Sequence, residues 1–327
     1  VSEAAETAGF LHQWKGAGFK RFIGPLLRPL GLLALCIVLS FLNENFFTLK
    51  NIISVLRQST ILVVVAVGMT VVILTAGIDL SVGGVMALVG CLTSQLIING
   101  TPIVPAIACG LALGTLFGLL NGVLVRIFGL PPFVATYGMM WIANGLAMIL
   151  MQGKIIFGLP DNFLWLGSGY LSIIPIPVIL AAVVAVAFHF YLKKTVSGQE
   201  IYALGANREA ARYSGIKITK TLLLVYSLSG FTAAIAGIIM TARLDAAQEG
   251  MGEPFMLQAI AAAVMGGSSL MGGEGGIPGT IIGALILTLV VNGLNLMGAP
   301  SMVHPLVTGA VILTAVFFDV VTRKWSD

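Results

Sequence analysis

The sequence predicts an all-α, polytopic membrane protein with about ten transmembrane helices, and three observations lead there. The chain is 58% hydrophobic and 9% charged, with a mean hydropathy of +1.03. Soluble domains carry about 25% charged residues, so the polar surface that a water-soluble globule needs is missing. Apolar stretches of about 20 residues, enough to cross a hydrocarbon core about 30 Å thick, recur ten times. When they alternate in direction, thirteen of the 17 Lys and Arg residues collect on one side, as the positive-inside rule asks of cytoplasmic loops.

Residues 1–28 read as a cytoplasmic N-terminal segment carrying Lys15, Lys20, Arg21 and Arg28. The first 25 residues lack the long apolar core and small-residue cleavage site of a secretory signal. The first stretch centres on 29–43; the second, 59–76, leads from the outer Lys50 and Arg57 into GIDLSVGG (77–84). The third, 82–98, leads to the fourth, 103–125, which returns to the inner Arg126; the fifth, 132–151, ends before the outer Lys154. The sixth, 173–192, delivers the chain to a cytoplasmic loop, 193–220, holding Lys193, Lys194, Arg208, Arg212, Lys217 and Lys220. The seventh, 221–242, ends at the outer Arg243; the eighth and ninth, 256–270 and 277–297, flank MGGSSLMGGEGG. The tenth, 302–319, precedes Arg323 and Lys324 in a cytoplasmic tail, 323–327. The expected organisation is thus one transmembrane domain, 29–322, with both termini inside. The third, eighth and ninth stretches are glycine-rich and adjoin motifs of broken or re-entrant helices. Irregular backbone is tolerated at membrane depth only where protein or a wet cavity satisfies it.

Gly110, Gly114, Gly118 and Gly122 form a flat stripe on the fourth stretch, and Gly275, Gly279 and Gly283 repeat it near the ninth. In lipid, such stripes let helix backbones approach closely. The halves also echo each other: GIDLSVGG, GTLFG and Asn121-Gly122 recur in order as GGSSLMGG, GTIIG and Asn292-Gly293. With an odd five spans in each half, the second would be inverted in the membrane.

Several chemistries are excluded. Cys36, Cys91 and Cys109 lie in apolar runs and form no CxxC pair, which reads as buried structural thiols. His12, His189 and His304 are far apart, and neither HExxH nor GxSxG occurs. MGGSSLMGGEGG is no Walker A loop, since it lacks the GK[ST] ending. An ion-coupled carrier would place acids within its spans, where each charge is costly. Asp79 is the main candidate; it stands two residues before Ser81, where it either caps the next helix or serves a gate.

A polar island, GANREAARYSGI (205–216), interrupts this apolar chain. Asn207 is a good N-cap, helix formers follow, and Gly215 suits the C′ position, so a helix of about two turns, roughly 10 Å, is expected. A surface helix of this size suits docking into a groove on a soluble partner, or serves as a solvated connector anchored at lipid headgroups.

GANREAARYSGI resembles the cytoplasmic-loop motif of the ribose-type ABC transporter permeases, the membrane subunits of bacterial binding-protein-dependent sugar importers. AVGMTVVILTAGIDLSVGG (66–84), PPFVATYGMM (131–140), EPFMLQAIAAAVMGGSSLMGGEGGIPGTIIGALIL (253–287) and NGLNLMG (292–298) resemble that family in the same order, over about residues 30–322. The resemblance implies a permease in the bacterial cytoplasmic membrane. Its partners would be a second permease subunit, identical or similar, cytoplasmic ABC ATPase subunits and a periplasmic sugar-binding protein. ATP and Mg would reside on the ATPase; this chain would need no cofactor and no metal, perform no catalysis, contact membrane lipid and bind no nucleic acid. The family's coupling helix falls on Gly205, Asn207, Glu209, Ala210, Ala211, Arg212, Ser214 and Gly215. Pathway or gate candidates are Asp79, Ser81, Ser268 and Ser269 at the breaks. The aromatic face Phe133, Tyr137 and Trp141, with Asn144, is a further candidate, suited to a sugar or to packing and lipid contact. The outer acids Asp161, Asp245, Glu249 and Glu253 are candidates for contact with a binding protein. Related permeases for nucleosides, branched-chain amino acids or a furanose signal stay open as alternatives, as does an ion-coupled secondary carrier.

Overall fold

The computed structural model describes residues 28–324. Most of the N-terminal segment read from the sequence, and residues 325–327 of the tail, lie outside the described residues. Every one of the ten apolar stretches contains a helix. They are α1 (Arg28–Leu42), α2 (Leu49–Ile73), α3 (Val82–Ile98), α4 (Ile103–Arg126), α5 (Pro132–Met151), α7 (Ile176–Lys194), α10 (Ile218–Leu244), α11 (Glu253–Met265), α12 (Ile277–Leu296) and α13 (Val303–Lys324). Three short helices complete the set: α6 (Asp161–Ser168), α8 (Val196–Ala206) and α9 (Arg208–Tyr213). Among the described residues, six helices, α2, α4, α5, α7, α10 and α12, are long and apolar enough to cross a membrane. The chain is a multi-pass membrane protein.

Local chemistry sets the boundaries. Thr48 accepts the Asn51 N–H and opens α2, while α5, α7, α11 and α12 carry proline in their first turn, where the missing N–H is not needed. α11 stops at Met265, short of the apolar stretch that runs on to 270, because Gly267, Gly272 and Gly273 take left-handed φ of +85°, +84° and +75° and turn the chain. Near the start of α2, two ribbons of two-residue strands form: β1 (Ile156–Phe157) pairs with β4 (Ala246–Ala247), and β2 (Tyr170–Leu171) with β3 (Ile174–Pro175), both antiparallel.

The core is built around α2 and α10, of 25 and 27 residues, about 38 and 40 Å at 1.5 Å per residue. α10 packs against α2, α3 and α4, and α2 packs against α7, α11 and α12. The glycine stripes are the contact faces. On α4, a Cβ at Gly114 would lie 2.7 Å from the Gly230 carbonyl oxygen of α10, and one at Gly118 would run into the Tyr226 carbonyl. On α12, Gly279 and Gly283 press against the Gly266 and Ala262 carbonyls at the end of α11. Polar pairs add to this close contact: Asn51 and Asn292 exchange hydrogen bonds of 3.2 and 2.8 Å, and the Thr70 and Thr280 hydroxyls meet at 2.6 Å, all between α2 and α12.

The cations separate to two ends. Lys50 and Arg57 begin α2 and Arg243 ends α10, where its Nη1 donates to the Arg57 carbonyl at 3.3 Å. At the opposite end Arg126 donates to Thr219 Oγ1 at 3.1 Å, Arg28 lies over Gly267, and α8 and α9 join α7 to α10. Between these ends the shorter helices α3 and α11 begin back to back: a Cβ at Gly83 would lie 2.8 Å from the Gly252 carbonyl. From there α3 runs toward the Arg57 end and α11 toward the α8–α9 end. Glu253, which is exposed, is the first residue of α11 and follows the Gly252 that packs on Gly83.

Candidate functional site

The polar island folds as its local code predicts. Asn207 Oδ1 accepts the Glu209 and Ala210 N–H groups at 3.0 and 2.9 Å, six residues form α9, and Gly215 closes it with φ of +82°. Only Ala211 is buried, in a small cluster with Leu204, Ile218 and Leu222. Arg208, Glu209, Ala210, Arg212, Ser214 and Gly215 face solvent, and Tyr213, which the sequence reading did not single out, is 88% exposed. One small side chain thus anchors α9 while its charged residues and a tyrosine project outward.

The island is not a separate appendage, because α8 is wedged against both backbone breaks. A Cβ at Gly205 would run into the Leu74 carbonyl and lie 2.6 Å from the Gly273 nitrogen. Those two groups hydrogen-bond to each other at 2.9 Å, tying the turn after α2 to the turn after α11. Tyr202 of α8 donates to the Gly275 carbonyl at 3.1 Å. Burial raises its phenol above the ordinary value, which keeps it a neutral donor. Ser269 helps shape the second turn by accepting the Met271 N–H at 3.2 Å; Ser268 is fully buried, with no hydrogen-bond partner for its hydroxyl among the described residues.

Asp79 and Ser81 belong to a second cluster, at the start of α3. Asp79 Oδ1 accepts the Ser81 N–H at 3.0 Å and hydroxyl at 2.6 Å, and Asn121 Nδ2 of α4 at 3.3 Å. Its Oδ2 accepts the Ser229 hydroxyl of α10 at 2.7 Å. The carboxylate is fully buried and none of these partners is a cation; the N–H groups and the positive end of the α3 dipole stand in for one. Asp79 thus holds the turn that leads into α3, whose N-cap Ser81 makes no side-chain cap bond of its own, and ties that turn to α4 and α10. Thr136 of α5 accepts the neighbouring Leu80 N–H at 3.1 Å.

The α5 aromatics stand apart from both clusters. Phe133 and Tyr137 stack with ring centres 6.0 Å apart, Tyr137 and Trp141 meet edge to face at 6.3 Å, and all three are exposed. Asn144 is buried away from them, donating to Glu253 Oε1 at 3.2 Å. Of the other acids that the sequence reading places outside, Asp245 accepts the Leu159 N–H at 2.8 Å.

The end of the fold where α2 begins and α10 finishes holds a feature the sequence did not foretell. Arg57, Arg243, Lys50, Ser54 and Tyr170 line a cavity of about 430 Å³, and no acid lines it. Arg57 donates to the Tyr170 hydroxyl at 3.0 Å and lies 5.5 Å from its ring centre. Lys50 and Arg57 share α2, but Arg243 lies 186 residues beyond Arg57, and the pairing of α2 with α10 brings it to them. Among the described residues, no cluster of His, Cys, Asp and Glu could hold a metal ion.

A family model described as the permease component of branched-chain amino acid transport systems matches residues 51–316. The chain belongs to this permease family. It is 42% identical to the ribose import permease protein RbsC of Haemophilus influenzae, over 79% of this chain and 81% of that one. It is 44% identical to the Bacillus subtilis ribose import permease, over 83% and 84%, and 38% identical to the D-allose transport system permease of Escherichia coli K12, over 75% of each. The match supports the sequence resemblance to ribose-type permeases, and the chain is a transport subunit.

Proposed function

We propose that this permease forms the pathway of an ABC importer for a monosaccharide delivered by a periplasmic binding protein, with ATP and Mg held by a separate ATPase subunit. The observation that carries the mechanism is the wedge of α8 between the two breaks at Leu74 and Gly273. A partner that grips the exposed face of α9 would move both breaks together. Residues of the island, Gly205 to Gly215, then act as the coupling handle. Asp79, Ser81, Ser268 and Ser269 lie in or beside the elements that shift. ATP drives import only because it binds one conformation of the assembly better than the other.

The permease would lie in the cytoplasmic membrane of a bacterium with α8 and α9 inside, which puts Arg28 and Arg126 inside and the Arg57–Arg243 cavity outside. Ten spans follow if α1, α3, α11 and α13 complete the crossing set. An inverted repeat is supported by the exchange of central helices, α10 packing on α3 and α4 as α2 packs on α11 and α12, and by the meeting of α3 and α11 at Gly83 and Gly252. The sequence echo needs one amendment: GIDLSVGG leads into α3 whereas GGSSLMGG follows α11, so these motifs do not occupy equivalent places. The outer cation cluster suits acidic residues of the binding protein, and a second permease copy would complete the pathway. Relatives named for ribose, D-allose, fructose and galactofuranose favour a sugar over the amino acids of the family description.

Co-expression with candidate ATPase and binding-protein chains, purification on this chain and reconstitution into proteoliposomes test the proposal. Hydrolysis that rises with one sugar-loaded binding protein is expected. A chain that purifies alone and moves solute down an ion gradient would overturn it.

A further inference from the structure

A cleft of about 240 Å³ lies between α2, α10, α11 and α12, lined by Gln58, Leu62, Arg243, Phe255, Gln258 and Thr288 among others. With a water occupying about 30 Å³ of liquid, this is room for about eight waters, or for one sugar ring with its hydroxyls. Arg243 also lines the outer cation cavity, so the two spaces adjoin. At 1.5 Å per residue, Leu62 stands about 20 Å along α2 from the outer end and Thr288 about 16 Å along α12 from the inner one. The cleft therefore reaches the middle of the membrane.

Its wall is chemically unusual for that depth. Gln258 has no hydrogen-bond partner among the described residues. Arg243 uses one N–H on the Arg57 carbonyl, and Gln58 donates to Ser54 at 2.8 Å, which leaves further amide and guanidinium groups unspent. Such groups do not face hydrocarbon without a large cost, so they mark a wet or occupied space. Two amides, a guanidinium and a hydroxyl set around Phe255 match a neutral polyol, which offers many hydroxyls and an apolar CH face.

We propose that this cleft is a transient monosaccharide site within the permease, entered from the Arg57–Arg243 cavity, with Gln258 and Thr288 reading the sugar's hydroxyls. It rests on the sugar-importer reading above. Gln258→Cys, in the assembled transporter, is expected to react with a water-borne, membrane-impermeant thiol reagent added from outside, and D-ribose, D-allose or D-fructose to slow that reaction selectively. The unsubstituted chain, with its three cysteines, sets the background. Gln258→Leu and Thr288→Val are expected to raise the KM for uptake and change the ratio of rates between these sugars, with Gln258→Asn restoring part of the loss. An unreactive Gln258→Cys, or an unaltered KM and sugar ratio in both variants, would overturn the site while leaving the importer reading intact. Failure of the natural chain to import any of the sugars would overturn that reading as well.

Discussion

Gly205→Ala is the sharpest probe of coupling through α8. The added methyl would occupy the position of the Leu74 carbonyl oxygen and crowd the Gly273 nitrogen at 2.6 Å. Overpacking of this kind costs about 1–3 kcal/mol, and losing the buried Gly273–Leu74 hydrogen bond adds about 1 kcal/mol. The conformation described above would be disfavoured by about 2–4 kcal/mol, a shift of about 30-fold or more in its population at 1.4 kcal/mol per factor of ten. The measurement is sugar moved per ATP hydrolysed in proteoliposomes holding the permease, its ATPase and its binding protein. An assembled complex that still hydrolyses ATP but moves sugar at least about tenfold less efficiently per ATP is expected, because α8 can no longer seat on both breaks. Ala203→Ser, on the exposed side of the same helix, should leave the ratio unchanged. A Gly205→Ala complex with natural coupling would refute the argument that the α8 contact transmits the stroke.

Other consequences follow from the same contacts. Asp79→Asn keeps one acceptor oxygen but loses the charge that holds Ser81, Asn121 and Ser229; charge-assisted hydrogen bonds carry about 1.5–3 kcal/mol each, so thermal unfolding in detergent should fall by several degrees, with no sodium dependence of uptake appearing or vanishing. For Asn51 and Asn292, each single change to Leu strands a buried amide, whereas the double change strands neither. A double-mutant cycle on unfolding should therefore show the pair costing less than the sum of the singles, by about 0.5–2 kcal/mol. Reversing Arg57 and Arg243 to Glu together should weaken stimulation of ATP hydrolysis by the binding protein, more at low than at high ionic strength, while sugar-free hydrolysis stays as it was; salt-independent loss would point to misfolding instead. Tyr213→Ala should reduce co-purification of the ATPase without lowering the yield of the permease.

What the sequence disclosed, and what it hid, divides by the range of the interaction. The ten apolar helices, the α9 cap at Asn207 and the left-handed Gly215 depend on neighbours within a few residues, so periodicity and capping preference reveal them directly. The glycine stripes also speak for themselves, since a residue without a Cβ every fourth position has few uses other than close contact. Asp79 was visible as an oddity, but its two readings could be weighed only with Ser229 in place, 150 positions away. Nothing in α10 singles out that serine from its neighbours. Glu253 is exposed, as its charge suggests, but its place at the start of α11, accepting from Asn144 beside the meeting of Gly83 with Gly252, is set by long-range packing that no local pattern announces. The Arg57–Arg243 cavity and the wedge at Gly205 are likewise products of which long helices lie side by side. In a chain where nearly every helix is apolar all round, no stripe of hydrophobicity says which face meets which partner. That choice falls to glycines and to a few buried amides and hydroxyls, and it is at those residues that substitutions should reveal how the permease moves.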